Sequence, residues 1–183
     1  VKLNHPEAIA LITNFVMENS IGGFEFLSCI PGTIGGGLRI NSGCFGKEFK
    51  DILLSVQVID RKGIIKTIPS SKIEFGYRHS PLDKDLIFLS ASFQGKKKNR
   101  EEINKEINKL KEEKNRRQPS RIKTGGSTFK NPEGKFAAEL IDQADCKGLK
   151  YGDAYVSAKH SNFLVNSGKA TSKDIETLGN IVR

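Results

Sequence analysis

Four stretches of this chain carry residue types and spacings that could do chemistry. The first is Ile30-Pro31-Gly32-Thr33-Ile34-Gly35-Gly36-Gly37-Leu38-Arg39-Ile40-Asn41-Ser42-Gly43. Its glycines let backbone come close to a planar or anionic ligand and offer N–H donors to it, and the same composition suits a purely structural turn. The spacing is neither that of a Walker loop nor that of GxGxxG. The second is Gly76-Tyr77-Arg78-His79-Ser80, approached through Ile73 and Phe75. A guanidinium there can hold a carboxylate or a developing enolate with its planar fork, or it can be a surface ion-pair partner. Nothing in the sequence supplies an orienting partner for His79, so it reads as a loop residue rather than a base.

The third stretch is Thr124-Gly125-Gly126-Ser127-Thr128-Phe129-Lys130-Asn131-Pro132. A serine between small and polar residues can reach a substrate and give up a proton, provided a neighbour takes up the charge it leaves. The alternative is a loop serine bonded to its own backbone. No Gly-x-Ser-x-Gly elbow is present, which argues against a hydrolase nucleophile. The fourth, Val156-Ser157-Ala158-Lys159-His160-Ser161-Asn162-Phe163, puts His160 and Asn162 on one face if it is a strand, where they read as a hydrogen-bonded structural pair.

These stretches need elements to position them. Ala8, Ile9, Leu11, Ile12, Phe15 and Val16 recur at helical spacing over residues 6–18, with Asn4 available as a cap and Pro6 at an early helical position. Residues 31–37 are five-sevenths Pro and Gly and predict a loop. Residues 53–60 and 64–68, joined by Arg61-Lys62-Gly63, predict a β-hairpin, and residues 86–93 predict a central strand. From 96 to 117 the chain is almost wholly charged, with Ile103, Ile107 and Leu110 at helical spacing, and Gln118-Pro119 closes this surface helix. Beyond it the sequence predicts a glycine-rich loop over 124–132 and an apolar helix around Phe136, Ala137, Ala138, Leu140 and Ile141. A strand over 162–166 and a last helix opening on Thr171-Ser172-Lys173-Asp174, close to a capping box, complete the chain.

Composition narrows the function classes. The 183 residues are 37% hydrophobic and 28% charged, enough for a folded core, and no apolar run approaches the ~18 residues of a membrane span. The N-terminus leads into no signal-peptide core. The formal charge is +9, of which +7 lies in residues 96–123, with 12 Lys and Arg against 5 Glu. That concentration reads as a solvated helix face, since no RNP-type aromatic motif or helix-turn-helix spacing accompanies it. Cys29, Cys44 and Cys146 are widely spaced and odd in number, without a zinc pattern, which points to a reducing cytoplasm and to no metal.

Taken together and in this order, the motifs resemble the UDP-N-acetylenolpyruvoylglucosamine reductase (MurB) family. The pieces that carry the likeness are Phe26-Leu27 leading into Ile30-Pro31-Gly32-Thr33-Ile34-Gly35-Gly36, then Asn41-Ser42-Gly43 and Gly46-Lys47-Glu48. They continue through Tyr77-Arg78-His79-Ser80, Gln118-Pro119, Gly126-Ser127-Thr128-Phe129-Lys130-Asn131-Pro132 and Lys159-His160-Ser161-Asn162-Phe163-Leu164-Val165-Asn166.

The resemblance implies an α+β chain. Residues 1–95 would be the second part of an FAD-binding domain of the MurB/vanillyl-alcohol-oxidase-like type, residues 96–117 a charged linker helix, and residues 118–183 a smaller α+β substrate-binding domain. It implies that NADPH reduces FAD and that the flavin passes hydride to UDP-N-acetylglucosamine enolpyruvate, giving UDP-N-acetylmuramate for peptidoglycan. Ser127 would be the proton donor and Arg78 the cation that stabilises the enolate. Backbone at Ile30, Pro31, Gly32, Thr33, Gly35 and Gly36 would contact the flavin, with Asn41 and Gly43 nearby, and Lys130 and Asn131 would help hold the UDP-sugar. A cytoplasmic protein, monomeric when intact, with neither nucleic acid nor membrane as partner, goes with this reading.

Two departures accompany it. No Gly-Gly-Gly-Ser-Asn type pyrophosphate loop precedes Val1, and no strand bearing the family's catalytic glutamate follows Arg183, a role that falls to neither Glu133 nor Glu139. No tyrosine-bearing insertion lies between Arg78 and Ser127, which places the chain with the shorter class of the family. The expectation is an internal fragment or shortened product of such a reductase. The alternative is a catalytically inactive UDP-sugar-binding or interaction module. A different flavoprotein is disfavoured by the Gly-Ser-Thr-Phe-Lys-Asn-Pro match.

Overall fold

The hairpin expected at residues 53–68 forms, and the first half of the chain is organised around it in the computed structural model, which describes residues 2–4 and 9–183. The chain divides into two compact units, Val1–Glu112 and Glu113–Arg183.

In the first unit strand β1 (Lys2–Asn4) comes first and helix α1 (Ile9–Glu18) follows. The Asn4 backbone pairs with Ser90 in a sheet, while the expected cap and early turn of the helix, with Pro6 and Ala8, lie outside the described residues. The helix buries Ile9, Ile12, Thr13 and Val16, whereas Leu11 and Phe15, counted in the same apolar stripe, stay exposed. Strand β2 (Ile21–Gly22) and a 3-10 turn (Glu25–Cys29) lead into helix α2 (Ile34–Arg39). The loop expected over 31–37 is therefore a loop only as far as Thr33, which caps α2 by accepting the Gly36 N–H at 3.2 Å.

Tertiary packing overrides glycine's poor helix propensity there. A Cβ at Gly37 would stand 2.5 Å from the Phe49 ring, so this turn of helix lies against the core only because the side chain is missing. A short hairpin, β3 (Gly43–Cys44) with β4 (Lys47–Glu48), precedes β5 (Leu53–Ile59), β6 (Ile65–Pro69) and β7 (Ile87–Phe93). Strand β8 (Lys96–Lys97) pairs with β2 before helix α3 (Arg100–Arg117), which buries Ile103 and Ile107 as its spacing predicts.

The main sheet has the order β1-β7-β5-β6, antiparallel throughout, with β7 in an interior position as expected. Its inner face and the surrounding helices enclose Phe24, Phe26, Leu27, Leu38, Phe49, Val56, Val58 and Phe93. Phe93 meets Phe24 and Phe49 edge-on, at 6.3 and 5.9 Å between ring centres. Glu25, 2% exposed, is held by Lys98 at 3.0 Å and by the Gly23 N–H at 2.8 Å. Lys98 also pairs with Glu106, which fastens the start of α3 to the 23–25 turn.

The second unit contains β9 (Lys123–Ser127), α4 (Ala137–Gln143), β10 (Lys150–Tyr151), β11 (Ala154–Val156), β12 (Phe163–Asn166) and α5 (Ser172–Val182). Its antiparallel sheet has the order β10-β11-β12-β9. The segment expected as a loop from Thr124 is thus an edge strand up to Ser127. Pairing with β12 supplies the order that glycine-rich sequence does not announce, and the register shifts along the way. Ile141, Ala154, Val156, Leu164 and Leu178 form this unit's core. The capping box at α5 forms as expected, Thr171 and Asp174 exchanging side-chain and backbone bonds. Among the described residues no helix is long and apolar enough to cross a membrane.

Candidate functional site

In the first unit the 30–36 segment leaves the 3-10 turn and is pinned where the Ile9 N–H donates to the Gly32 carbonyl at 3.0 Å. Gly32 has φ +111°, a conformation that excludes ordinary side chains, and a Cβ built on it meets nothing within 4 Å. Pro31, Gly32 and Gly36 are exposed, and a Cβ at Gly36 would touch only the Thr33 hydroxyl at 3.4 Å. Side chains at positions 32 and 36 would therefore project into open space beside exposed backbone. Exposed backbone free of side chains is compatible with the flat cofactor that the resemblance implies. Ile34 and Gly35 are buried and anchor α2 beneath it.

Arg78 sits at the third position of a tight turn closed by paired backbone bonds between Gly76 and His79. Its φ is +50°, a region where a non-glycine residue persists only if its surroundings hold it. The guanidinium donates Nη2–H to the Gly43 carbonyl at 2.6 Å, and Nη1 lies 3.5 Å from the Asn41 carbonyl and 3.7 Å from Glu48 Oε1. It also stands over the Tyr77 ring at 5.0 Å.

Asn41, fully buried at φ +45°, gives its amide hydrogens to Glu48 Oε2 and the Gly76 carbonyl and accepts the Lys50 N–H. Its side chain thus ties the hairpin to the Arg78 turn and lies inward, beneath any ligand surface. Gly43 is just as constrained, since a Cβ there would meet the Lys47 carbonyl oxygen at 2.3 Å. His79 is exposed, in keeping with its reading as a loop residue.

In the second unit Ser127 is exposed at the end of β9, opposite Phe163. It borders an open cleft of about 520 Å³ with Lys123, Thr124, Gly125, Thr128, Leu164, Asn166 and Ile175. Asn162 holds the chain just beyond it. Its carbonyl accepts the Thr128 N–H at 2.8 Å, and its side-chain amide makes a two-way bond with the Phe129 backbone at 2.8 and 2.9 Å. Lys130 is exposed, while Asn131 turns its Oδ1 to the Ala137 N–H at 3.0 Å and so fastens the start of α4.

His160 and Asn162 lie in the turn before β12 rather than alternating along a strand, but they are bonded: the Asn162 N–H donates to His160 Nδ1 at 3.3 Å. The His160 ring leans on Phe163 at 4.6 Å. Burial pushes its pKa below the ordinary 6.5, partly offset by nearby Asp142.

The structure gathers Asn41, Gly43 and Arg78 in the first unit and places Ser127, Lys130 and Asn131 along one short stretch of the second. Two residues at these clusters escaped assignment from sequence. Glu48 reaches both Asn41 and Arg78; the signal was its place three residues before Asp51, the spacing of the capping box that the two do form. Asn162 was noticed only as a companion of His160, and its grip on Phe129 crosses 33 positions of sequence.

With two α+β units carrying these clusters, comparison with known proteins becomes informative. Residues 118–183 match the family model for the UDP-N-acetylenolpyruvoylglucosamine reductase C-terminal domain. The UDP-N-acetylenolpyruvoylglucosamine reductase of Pelagibacter ubique is 52% identical over 175 residues, 94% of this chain and 58% of that protein. That of Novosphingobium aromaticivorans is 48% identical over 173 residues, with the same coverage of each. The crystal structure of MurB from Thermus caldophilus superimposes with a TM-score of 0.92 at 32% identity, covering 100% of this chain and 67% of that one. The chain belongs to the MurB family, and it spans about 58% of the length of the curated relatives it matches.

Proposed function

We propose that this chain forms part of a cytoplasmic, flavin-dependent reductase that converts UDP-N-acetylglucosamine enolpyruvate to UDP-N-acetylmuramate for peptidoglycan synthesis. The observation that carries the reading is Arg78, a guanidinium held at left-handed backbone on the carbonyls of Asn41 and Gly43, within the motif from which the resemblance takes its enolate-stabilising cation. Residues 1–95 would contribute the second part of the FAD-binding domain and residues 118–183 the substrate-binding domain, joined by 96–117. FAD, when bound, supplies the hydride, and NADPH replenishes it.

The chain's own residues do the rest. Backbone at Ile30, Pro31, Gly32, Thr33 and Gly36 holds the cofactor, with Gly43 beside it and buried Gly35 and Asn41 supporting from below. Arg78 places positive charge where the substrate develops an enolate, a form of electrostatic stabilisation that often contributes most to rate. Ser127 donates the proton that completes the reduction, and Lys130 and Asn131 hold the UDP-sugar.

The test is a fluorescence titration with FAD of a protein that carries this chain at the full length of its relatives, followed by desalting and NADPH oxidation assays with and without substrate. Retained yellow cofactor and substrate-dependent turnover are expected. A chain that binds the UDP-sugar yet takes up no FAD and oxidises no NADPH would overturn the enzymatic reading in favour of a binding module.

A further inference from the structure

Asn41, Phe45 and Arg78 are three of the six non-glycine residues with left-handed backbone among the described residues, and they meet in one place, where the β3–β4 hairpin faces the 76–79 turn. Glu48 reaches two of them, Asn41 and Arg78. Its side chain is 20% exposed, and Oε2 accepts from Asn41 Nδ2 at 2.9 Å and lies 3.1 Å from Lys50 Nζ. Oε1 lies 3.7 Å from Arg78 Nη1. The same carboxylate accepts the Asp51 N–H, and Asp51 Oδ2 returns a bond to the Glu48 N–H at 2.8 Å.

Through these bonds one side chain fixes the hairpin end, the Asn41 hinge and the guanidinium together. We propose that Glu48 is the positioning residue for Arg78, setting the direction of its fork without cancelling its charge. The proposal rests on the reading of Arg78 as the cation that faces the enolate.

The geometry argues for orientation without neutralisation. Two backbone carbonyls take the guanidinium's N–H groups along one side, and carbonyls hold a cation while leaving its charge in place. The carboxylate stands farther from Arg78 than in a bidentate pair and lies nearer to Lys50, so it steers the guanidinium without closing a tight ion pair on it. Glu48→Gln keeps the length and an oxygen for the capping bonds. With that oxygen turned to the Asn41 and Asp51 donors, the amide NH2 is left facing the guanidinium, donor against donor.

The test combines a spectrum with kinetics. In the 15N-labelled chain, the side-chain Nε–H and Nη–H signals of Arg78 are assigned by their loss in Arg78→Lys. Resolved Nη signals at low temperature are expected in the unaltered protein, merged or broadened ones in Glu48→Gln, with backbone signals outside 41–51 and 76–79 unmoved. In turnover assays with UDP-N-acetylglucosamine enolpyruvate, Glu48→Gln lowers kcat by roughly ten-fold, with KM within about two-fold. Glu48→Asp, which keeps the charge, recovers part of the loss.

Because Glu48 acts through Arg78, Arg78→Ala combined with Glu48→Gln is no slower than Arg78→Ala alone. Arg78 signals unchanged in Glu48→Gln, or a double variant slowed by both factors independently, would overturn the proposal. Normal turnover of Arg78→Ala would instead overturn the enolate reading itself. In a preparation without turnover the spectra decide alone.

Discussion

At Ser127 and Arg78 two side chains are assigned to opposite ends of one charge movement, and their substitution separates the half-reactions. Ser127→Ala removes a proton donor that reduction of the flavin by NADPH does not use. In the flavin-loaded protein, stopped-flow traces should show reduction within about two-fold of normal and reoxidation by substrate slowed by about 100-fold or more, the scale of general acid catalysis. Equal slowing of both halves would remove Ser127 from that role. Arg78→Lys keeps the charge but replaces a fork that spans the Asn41 and Gly43 carbonyls with a single ammonium, so turnover should fall by at least roughly ten-fold while urea stability changes little. Turnover unchanged by Lys would mean that a point charge suffices there. The stretches that hold Ser127, Arg78 and the glycines stand out in the sequence because each motif is contiguous. Glu48 and Asn162 act across the sequence, on Arg78 and on Phe129, and no local pattern records such a contact.

Among the elements, those with strong local periodicity were legible: the β5–β6 hairpin with its Arg61-Lys62-Gly63 turn, interior β7, α3 with Ile103 and Ile107 inward, and α5 with its capping box. The two misread elements are both glycine-rich. Helix α2 and strand β9 look like loops because glycine carries no periodic side chain, and each is imposed by a partner, Phe49 in one case and β12 in the other. A pair of alanine substitutions tests this for α2. At Gly37 the new methyl would sit 2.5 Å from a ring that is itself fully buried against Phe93, so Gly37→Ala should lose about 1–3 kcal/mol in urea unfolding despite its better helix propensity. At Gly36 the methyl meets only the Thr33 hydroxyl at 3.4 Å, so Gly36→Ala should leave stability within about 0.5 kcal/mol. The same methyl rises from the exposed surface assigned to the cofactor, so Gly36→Ala should weaken FAD binding. Equal stability losses at both positions would show that flexibility, not contact with Phe49, is what glycine supplies here.

For the whole molecule, charge and burial together set the response to acid. The formal charge of +9 grows as carboxylates protonate, so self-repulsion opposes folding increasingly at low pH. A half-buried imidazole and a buried carboxyl add steps of defined sign. His160 is held below its ordinary 6.5 chiefly by burial, so the unfolded chain binds the proton more readily, and stability that is complete above pH 6.5 is lost as pH falls toward the folded value. For Glu25, burial alone would raise the carboxyl, but backbone N–H groups and Lys98 outweigh it and hold the pKa below its ordinary 4.5. Its contribution is therefore present above pH 4.5 and disappears as pH falls below it. Urea unfolding followed from about pH 7.5 to about pH 3.5 should show a first decline below 6.5 and a steeper one below 4.5, the latter partly relieved by added salt. His160→Asn assigns the first step, because Asn Oδ1 can stand where Nδ1 accepts the Asn162 N–H while carrying no titratable proton. This variant should flatten the curve between about pH 7.5 and pH 5.5 and leave the lower step in place. A first decline of undiminished size in His160→Asn would mean that the proton is taken up elsewhere, and that the half-buried imidazole contributes nothing to the acid response.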